Sequence, residues 1–233
     1  MLLREPSLHL LRRPMSILDE GDGWRSFMVK PVGPASRELV SCAPGDRLDV
    51  SEPLGVGFPA VAQLVSGPLL LVGGGFGVAP LHFLARQLDA SPRSHNYRIL
   101  YGGRSQADLE TEVLDDIQGE VLVSTDDGSV GFSGTCVDLA LRQLEELGED
   151  AAHAKVLTCG SNAMMQALFL AVRGQVKTVL VSLEEIMGCG VGVCMGCVTP
   201  SRQGYVPVCT HGPVFPGDEV FDLDGNVGGL PVG

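Results

Sequence analysis

Leu69-Leu70-Leu71-Val72-Gly73-Gly74-Gly75-Phe76-Gly77-Val78-Ala79-Pro80 is the stretch that decides the fold. Its four leading apolar residues read as a short buried strand, and apolar residues at helical spacing follow the glycines at Leu81, Leu84, Ala85 and Leu88. A strand, a glycine turn and a helix together open a nucleotide-binding α/β unit. The glycines let the backbone approach a pyrophosphate, which the start of the helix then favours. We therefore predict a dinucleotide site here, against the alternative of a turn that merely joins strand to helix.

The alternation of strand and helix continues beyond this unit. Further apolar runs predict strands at residues 97–101, 121–124 and 155–158. Helical spacing predicts helices at residues 108–116, 134–147 and 163–172. Strands that alternate with helices form a parallel sheet with helices on its faces. We therefore expect a Rossmann-like parallel α/β domain over residues 67–178.

Residues 8–59 have a different texture, in which short β-like runs are broken by glycine and proline. This texture predicts a small antiparallel barrel or sandwich. A closed barrel needs about six to eight strands, and residues 8–59 hold fewer. The expected N-terminal domain, residues 1–66, is therefore an antiparallel β-barrel whose first strands are missing.

A group of cysteines organises the last expected unit, residues 179–233. Its members, Cys189, Cys194, Cys197 and Cys209, follow the pattern C-x4-C-x2-C with one later cysteine, which is the spacing of plant-type [2Fe–2S] ligation. Interleaved glycines allow the backbone to wrap around a cluster. Structural zinc usually pairs two short cysteine knuckles, whereas here one arm holds three cysteines. We predict a [2Fe–2S] cluster, with zinc and unligated thiols as the alternatives.

Composition narrows the possible partners. The formal net charge of −12 and the pI near 4.7 argue against nucleic acid and anionic membrane, because both need a basic face. No apolar run reaches the length of a bilayer crossing. Most of the seven cysteines fall in the cluster pattern, which does not suit a disulfide framework. We therefore expect a cytoplasmic protein. We also expect Cys42 and Cys136, outside the cluster pattern, to be buried as small hydrophobic side chains.

Two further segments suit redox cofactors. Arg12 and Arg13 place guanidinium groups near Ser16, a combination suited to phosphate binding. Cys159-Gly160 ends a predicted strand, and ligands bind at that edge of an open α/β sheet. No set of residues supports hydrolysis. A nicotinamide gives up two electrons as hydride and a [2Fe–2S] cluster takes one at a time, so a flavin is expected between them.

With these motifs in view, nearly the whole chain resembles the ferredoxin-reductase-like flavoproteins, and within them the electron-transfer subunits of NAD-dependent dihydroorotate dehydrogenases. Residues 13–16 are similar to the Arg-Pro-x-Ser flavin motif, and residues 53–58 to the segment that joins the domains. Residues 182–185, the cysteine loop and residues 208–215 are similar to this family of subunits. A cysteine at position 189 favours the family over related reductases, whose first ligand is often not cysteine.

The resemblance implies which residues contact each cofactor. The implied FAD contacts are Arg13, Pro14, Met15, Ser16, Met28, Val29, Lys30, Ala35 and Ser36. The implied NAD contacts are Gly73, Gly74, Gly75, Gly77, Ala79, Pro80 and Gly160, with Cys159 near the nicotinamide as the candidate catalytic residue. Two departures concern the flavin: Lys30 stands where arginine is usual, and residues 34–36 replace a glycine-rich turn.

The resemblance also implies a function, an electron relay in de novo pyrimidine biosynthesis. Electrons would pass between NAD, FAD, the [2Fe–2S] cluster and a partner, the FMN-containing catalytic subunit of dihydroorotate dehydrogenase, in a heterotetramer with two copies of each chain. Alternatives are a reductase subunit for ferredoxin, a hydrogenase or a sulfur reductase, and a non-catalytic iron–sulfur protein without flavin. The choice between NAD and NADP stays open. Val191, Val193 and Met195 are expected either on the docking face or in local packing around the cluster.

Overall fold

The computed structural model describes residues 1–7, 9–91 and 96–222, together with the backbone of residues 226–227 and 230–231. The rest of the expected unit 179–233 lies outside the described residues, as does residue 8 of the expected N-terminal domain. Within the described ranges, none of the helices combines the length and the apolar character that a membrane crossing requires.

The strands follow one another as β1 Leu2–Glu5, β2 Ile17–Gly21, β3 Trp24–Phe27, β4 Arg47–Val50, β5 Leu69–Gly74, β6 Tyr97–Gly103, β7 Glu120–Thr125, β8 Phe132–Ser133, β9 Lys155–Cys159, β10 Thr178–Ser182, β11 Val198–Ser201, β12 Gly204–Pro207, β13 Val214–Pro216, β14 Asn226–Val227 and β15 Leu230–Pro231. The α-helices are α1 Pro34–Val40, α2 Val61–Leu64, α3 Val78–Asp89, α4 Cys136–Leu147, α5 Asn162–Val172, α6 Val208–His211 and α7 Gly217–Phe221. Short 3₁₀ turns occupy Gly75–Gly77, Gln106–Asp108, Thr111–Leu114 and Gly148–His153.

A seven-stranded sheet in the order β13-β10-β9-β5-β6-β7-β8 forms the centre of the molecule. Its neighbouring strands are parallel except β13, which runs antiparallel to β10. Leu70, Leu71 and Val72 of β5 are at most 1% exposed, as expected for a strand covered on both faces. The parallel α/β unit predicted from residues 69–80 is confirmed.

The strand order of this sheet reverses at β5. The chain runs from β5 outward to β6, β7 and β8, and then crosses back to β9 on the other side of β5. Such a reversal opens a crevice at the carboxyl ends of the two central strands. Gly73 of β5 pairs with Cys159 of β9. The glycine turn and Cys159-Gly160, distant in sequence, are therefore neighbours at the crevice.

Helices cover both faces of the sheet. Leu70 and Val72 face a core shared with α4 and α5. Leu69 and Leu71 face a second core shared with α3. Because each fully buried leucine or valine contributes roughly 1.5–3 kcal/mol, the two cores hold the carboxyl ends of the strands firmly in place.

The N-terminal part holds two separate antiparallel pairs among the described residues, β1 with β4 and β2 with β3. The structure also contains a helix, α1, where the sequence texture predicted only strands and turns. Pro34 occupies its first turn, and the backbone N–H of Gly33 donates to Ser36 Oγ over 2.9 Å. A fixed proline φ and a reciprocal cap start a helix locally, which the strand-like texture hid.

The prediction of a helix over residues 108–116 is wrong. Two 3₁₀ turns occur there instead, and Leu109 between them is extended, with φ −110° and ψ 133°. The backbone N–H of Glu110 donates to the Tyr101 hydroxyl over 3.1 Å and so ties this extended segment to β6. The extended backbone at Leu109 interrupts the local helical pattern.

The central sheet extends beyond residue 178, the end of the expected dinucleotide domain. β10 and β13 both belong to it, so the expected C-terminal unit shares the sheet through these two strands. The hairpin of β11 and β12 stands between them in the chain and forms its own pair. Of the cysteines outside the cluster pattern, Cys136 is buried as predicted, whereas Cys42 is only partly buried because it lies beside the end of α1.

Candidate functional site

The glycine turn packs directly against the end of β9. An ideal Cβ added at residue 77 would lie 2.6 Å from the backbone nitrogen of Gly160 and would also collide with the carbonyl group of Cys159. Gly75 has φ +52°, which a side chain would strain. The helix α3 starts at Val78, so its positive dipole end points toward the crevice. The implied NAD contacts at residues 73–80 and Gly160 are thus brought together.

Cys159 stands at this crevice as a neutral thiol. Its side chain is 1% exposed, and burial together with the charge of Glu184 raises the pKa of Cys159 to about 12. A thiol that keeps its proton at neutral pH is a poor nucleophile. The buried, protonated thiol of Cys159 therefore does not favour bond-forming chemistry, and its place near the nicotinamide stays a prediction.

Two polar residues at the end of β10 lie beside this thiol, Ser182 as the last residue of the strand and Glu184 just after it. Ser182 pairs with Cys159 across the parallel strands and is 5% exposed. Glu184 keeps an exposed edge, yet burial of its carboxyl group raises its pKa. The sequence reasoning noted Glu184 only as part of a motif. The signal that could have singled it out is its place just after a strand of the central sheet.

The hairpin of β2 and β3 brings two implied FAD segments together. Ile17 pairs with Phe27, so residues 13–16 and 28–30 leave the same end of the hairpin. Arg13 exchanges two backbone hydrogen bonds with Leu2, of 2.7 and 2.8 Å. The neighbouring guanidinium of Arg12 is engaged by Asp49. Of the two arginines considered for phosphate binding, Arg13 is therefore the better placed.

The implied FAD contacts at Ala35 and Ser36 lie in the first turn of α1 with buried side chains, 6% and 7% exposed. The hydroxyl of Ser36 is committed to its cap, accepting from the Gly33 N–H and donating to the Gly33 carbonyl over 3.1 Å. A phosphate at this turn would therefore meet backbone N–H groups and not the serine hydroxyl.

Lys30 connects the flavin segment to the glycine turn. Its Nζ lies 5.6 Å from the centroid of the Phe76 ring, within the range of a cation–π contact. Phe76 belongs to the 3₁₀ turn between β5 and α3. Lys30, which stands where arginine is usual, thus belongs to the candidate FAD segment and contacts the candidate NAD turn through Phe76.

The cysteine loop groups its thiols in two pairs. Cys189 and Cys194 are exposed, and the N–H groups of Cys194 and Val191 each donate to the sulfur of Cys189 over 3.4 Å. Cys197 and Cys209 are buried, and the Cys209 N–H donates to the Cys197 sulfur over 3.5 Å. The β11–β12 hairpin produces the second pair, because Val198 faces Pro207 at its open end.

Backbone geometry and electrostatics of this loop suit thiolate ligands. The loop wraps through positive φ at Gly190, Gly192 and Met195, of 73°, 76° and 55°. Hydrogen bonds from the backbone N–H groups of Cys194 and Val191 lower the pKa of Cys189 to about 6. Burial raises the pKa of Cys209. An exposed pair in which Cys189 readily ionises, and a sheltered pair, are compatible with a cluster seated at the surface.

Within residues 1–7, 9–91 and 96–222, no three His, Cys, Asp or Glu side chains are grouped as ligands of one metal ion. A zinc ion would draw all four ligands to one point, whereas two irons divide four cysteines into pairs. The pairing of the thiols is compatible with the [2Fe–2S] alternative. The cluster loop also contacts the N-terminal part, since a Cβ at Gly190 would lie 2.8 Å from Met1 Sδ and 2.9 Å from Leu54 Cδ1.

Apolar side chains surround the exposed pair. Ile186, Val191, Val193 and Met195 are 85%, 63%, 79% and 48% exposed. Of the two expectations for residues 191, 193 and 195, exposure in the isolated chain is the one observed. A contiguous exposed apolar surface of this kind marks a site of interaction with another molecule.

A separate cavity of about 550 Å³ lies at the opposite edge of the sheet, where β5 and β9 begin. Its polar lining comes from Asn96, Asp150, His153 and Lys177. None of the residues predicted to bind a cofactor lines it, so it does not belong to the candidate site.

Comparison with known proteins places this fold and site in a class. The family model described as "Iron-sulfur cluster binding domain of dihydroorotate dehydrogenase B" matches residues 184–221. A solved structure of an NADH-dependent reduced ferredoxin-NADP oxidoreductase is 29% identical, with a TM-score of 0.77, and the match covers 94% of this chain and 77% of that one. The cytochrome P450 reductase GcoB from Amycolatopsis, 24% identical with a TM-score of 0.57 over 75% of this chain and 57% of its own, shares the fold. The chain is a ferredoxin-reductase-like protein with a C-terminal iron–sulfur domain.

Relatives along nearly the whole chain are more specific. The "Dihydroorotate dehydrogenase B (NAD(+)), electron transfer subunit" of Geobacillus thermodenitrificans (strain NG80-2) is 41% identical over 216 residues, covering 91% of this chain and 80% of the relative. The protein of the same description from Fusobacterium nucleatum is 34% identical over 91% of this chain and 81% of its own. The chain belongs to the family of dihydroorotate dehydrogenase B electron transfer subunits, and the resemblance read from its motifs is confirmed.

Proposed function

We propose that this chain is the electron-transfer subunit of an NAD-dependent dihydroorotate dehydrogenase and passes electrons between a dihydroorotate-oxidising partner and NAD, in pyrimidine biosynthesis. The observation that carries the proposal is the 41% identity to such a subunit over 91% of the chain. The geometry supports it, because a dinucleotide crevice, a flavin segment and a four-cysteine loop are held against one another by contacts at Phe76, Leu54 and Met1.

The roles of the residues follow their positions. Gly73, Gly74, Gly75, Gly77, Ala79, Pro80 and Gly160 would receive NAD, with Cys159 packed beside the nicotinamide. Arg13, Pro14, Met15, Ser16, Met28, Val29, Lys30, Ala35 and Ser36 would hold FAD, and Cys189, Cys194, Cys197 and Cys209 would hold the [2Fe–2S] cluster. When bound, FAD supplies the conversion between a hydride pair and the single electrons that the cluster carries. In this proposal the unit 1–66 binds FAD, the unit 67–178 binds NAD, and the unit 179–233 holds the [2Fe–2S] cluster.

The neutral thiol of Cys159 has a defined part in this scheme. Because it holds its proton, it neither attacks the nicotinamide nor places a negative charge beside it. The close approach of Gly77 to the backbone of Cys159 and Gly160 forms the floor on which the nicotinamide would lie. The chain thereby orients a nicotinamide ring without reacting with it.

The partner that we propose is an FMN-containing dihydroorotate dehydrogenase catalytic subunit, in an assembly of two copies of each chain. It would cover the exposed apolar side chains around Cys189 and Cys194, because electron transfer needs a short distance between cofactors. We also propose a cytoplasmic location. Its support is that the seven cysteines are all unpaired, which suits a reducing compartment.

The test is anaerobic reduction of the purified chain and of the complex. NADH is expected to bleach the flavin bands and to produce the electron paramagnetic resonance signal of a reduced [2Fe–2S] cluster. Dihydroorotate is expected to do so only when the catalytic subunit is present. Cys197→Ala should remove the cluster signal and Cys42→Ala should not. Oxidation of dihydroorotate by this chain alone, or cluster bands without flavin, would contradict the proposal.

A second candidate is a reductase subunit that exchanges electrons with a ferredoxin. It is favoured by the 0.77 TM-score to the ferredoxin-linked oxidoreductase. Reduction of the chain with NADH in the presence of either ferredoxin or the catalytic subunit separates the two. Faster turnover with ferredoxin, and no complex with the catalytic subunit, would favour this second candidate. A parallel titration with NADPH shows whether the chain uses NAD or NADP.

A further inference from the structure

A buried histidine joins the two candidate cofactor segments. His82 lies in α3, the helix that follows the glycine turn, and it is 4% exposed. Its Nδ1 is 2.8 Å from the backbone carbonyl oxygen of Leu18 in β2. β2 begins directly after the flavin segment, residues 13–16. One imidazole therefore connects the helix of the dinucleotide turn with the strand that carries the flavin segment.

The second ring nitrogen is also occupied. His82 Nε2 lies 3.2 Å from Oδ1 of Asp116, in the loop before β7. A carbonyl and a carboxylate are both acceptors, so a ring N–H of His82 can donate to either of them. The imidazole is thus fixed in orientation by two partners that belong to different parts of the chain.

Charged neighbours complete the contact. Arg86, one turn further along α3, places Nη1 3.2 Å from Oδ2 of Asp116 and Nε 3.7 Å from Oδ2 of Asp19. Asp19 follows Leu18 in β2. Asp116 is therefore held between two side chains of α3, and β2 is held at two successive residues. The strand cannot shift along the helix without breaking several of these contacts.

We propose that His82 is a positioning residue for electron transfer between NAD and FAD, acting through its hydrogen bond to Leu18. The inference rests on the proposed function and deepens it. The carbonyl of Leu18 is two residues beyond Ser16, and α3 begins at the crevice, so this bond sets the spacing between the flavin and the nicotinamide. The rate of hydride transfer depends strongly on the distance between the two rings. A displacement of about 1 Å can slow such a reaction about a hundredfold.

Two amide substitutions separate the two bonds of the ring. The amide nitrogen of asparagine falls near the place of Nδ1 and that of glutamine near the place of Nε2, so H82N can keep the bond to Leu18 and H82Q can keep the bond to Asp116. The measurement is the rate of flavin bleaching by NADH in anaerobic stopped flow, with the full chain carrying FAD and its cluster. H82Q is expected to be slower by about tenfold or more, and H82N within about twofold of wild type. The control is His153→Gln, at an exposed histidine, which should leave the rate unchanged.

Flavin content, the cluster signal and the melting temperature are recorded for each variant. A slow H82Q beside a fast H82N, with these three properties preserved, supports the positioning role. Equal rates in H82Q, H82N and wild type would overturn it, and so would equal slowing of both or slowing that parallels loss of flavin. Failure of the proposed function is seen separately, because it would leave the wild-type flavin unreduced by NADH.

Discussion

Gly77 lies against the backbone of Cys159, so closely that a side chain at position 77 would occupy the place of the Cys159 carbonyl group. Gly77 lies in the turn after β5, and Cys159 is the last residue of β9; β5 and β9 are central strands of the sheet. Their approach closes the floor of the dinucleotide crevice. The spacing between these two loops therefore depends on the absence of one methyl group.

Replacing Gly77 by alanine is expected to open this floor. The added Cβ must push the Cys159 loop away, at a cost of about 1–3 kcal/mol in the free energy of unfolding, and the apparent affinity for NADH should fall. Chemical denaturation and NADH titration measure the two effects. The matched control is Gly57→Ala, since a Cβ there meets no atom within 4 Å. Equal behaviour of the two variants would contradict the packing described for residue 77.

The Cys159 thiol is expected to resist alkylation in the folded chain. Its pKa of about 12 keeps it protonated, and it is shielded from solvent. Treatment with iodoacetamide at pH 8, followed by peptide mass spectrometry, should label the partly buried Cys42 well before Cys159. Labelling of both at similar rates before unfolding would show that the crevice is open.

The same thiol is expected to make the free energy of unfolding fall as the pH becomes alkaline. Folding raises the pKa of Cys159 above that of the unfolded chain, so the folded state holds this proton more tightly. The contribution is fully present below about pH 9 and is lost as the pH rises toward 12. Between pH 8 and pH 10, wild type should lose about 1 kcal/mol more than Cys159→Ala in urea unfolding. Parallel pH dependence of the two proteins would argue against a buried, protonated thiol.

Lys155 is expected to hold the segment that precedes β5. Its side chain is 7% exposed, and Nζ donates to the carbonyl oxygens of Gln63, Leu64 and Ser66 at 3.0–3.1 Å and to Ser66 Oγ at 2.9 Å. Lys155→Met leaves these acceptors unsatisfied and should cost about 2–4 kcal/mol in the free energy of unfolding. The exposed Lys177 provides the control Lys177→Met, which should cost less than about 0.5 kcal/mol. Similar losses for both would mean that the bonds of Lys155 contribute little.

The apolar surface beside the exposed cysteines is expected to bind the partner subunit. Val193, 79% exposed, should tolerate aspartate in the isolated chain with no loss of cluster or of stability. In the complex, Val193→Asp should weaken binding by about 2 kcal/mol or more, roughly thirtyfold, because a charge would be buried at an apolar contact. Surface plasmon resonance with the catalytic subunit measures this change. Leu170→Asp, on the exposed side of α5, is the control, and equal binding of both variants would place the interface elsewhere.

Local patterns predicted the elements of this protein well where a few neighbouring residues suffice. The strand and turn at residues 69–80 follow from an apolar run and its glycines, and the central sheet confirms them. The helices predicted at residues 134–147 and 163–172 are confirmed as α4 and α5. The helix predicted at 108–116 failed because Leu109 is extended, in a segment that the bond from the Glu110 N–H to the Tyr101 hydroxyl ties to β6.

The sequence by itself determined the family of this protein, and it predicted the order of its units and the thiols that would hold a cluster. Those conclusions depend on the spacing of residues along the chain, which can be read directly from the sequence. The tertiary structure alone decided the contacts between segments that are far apart in the chain: the pairing of Cys197 with Cys209, the approach of Gly77 to Cys159, and the place of His82 between Leu18 and Asp116. A lone histidine on a helix carries no local signal, because its partners come from a strand and a loop far away in the chain. Packing, and not spacing, brings them together.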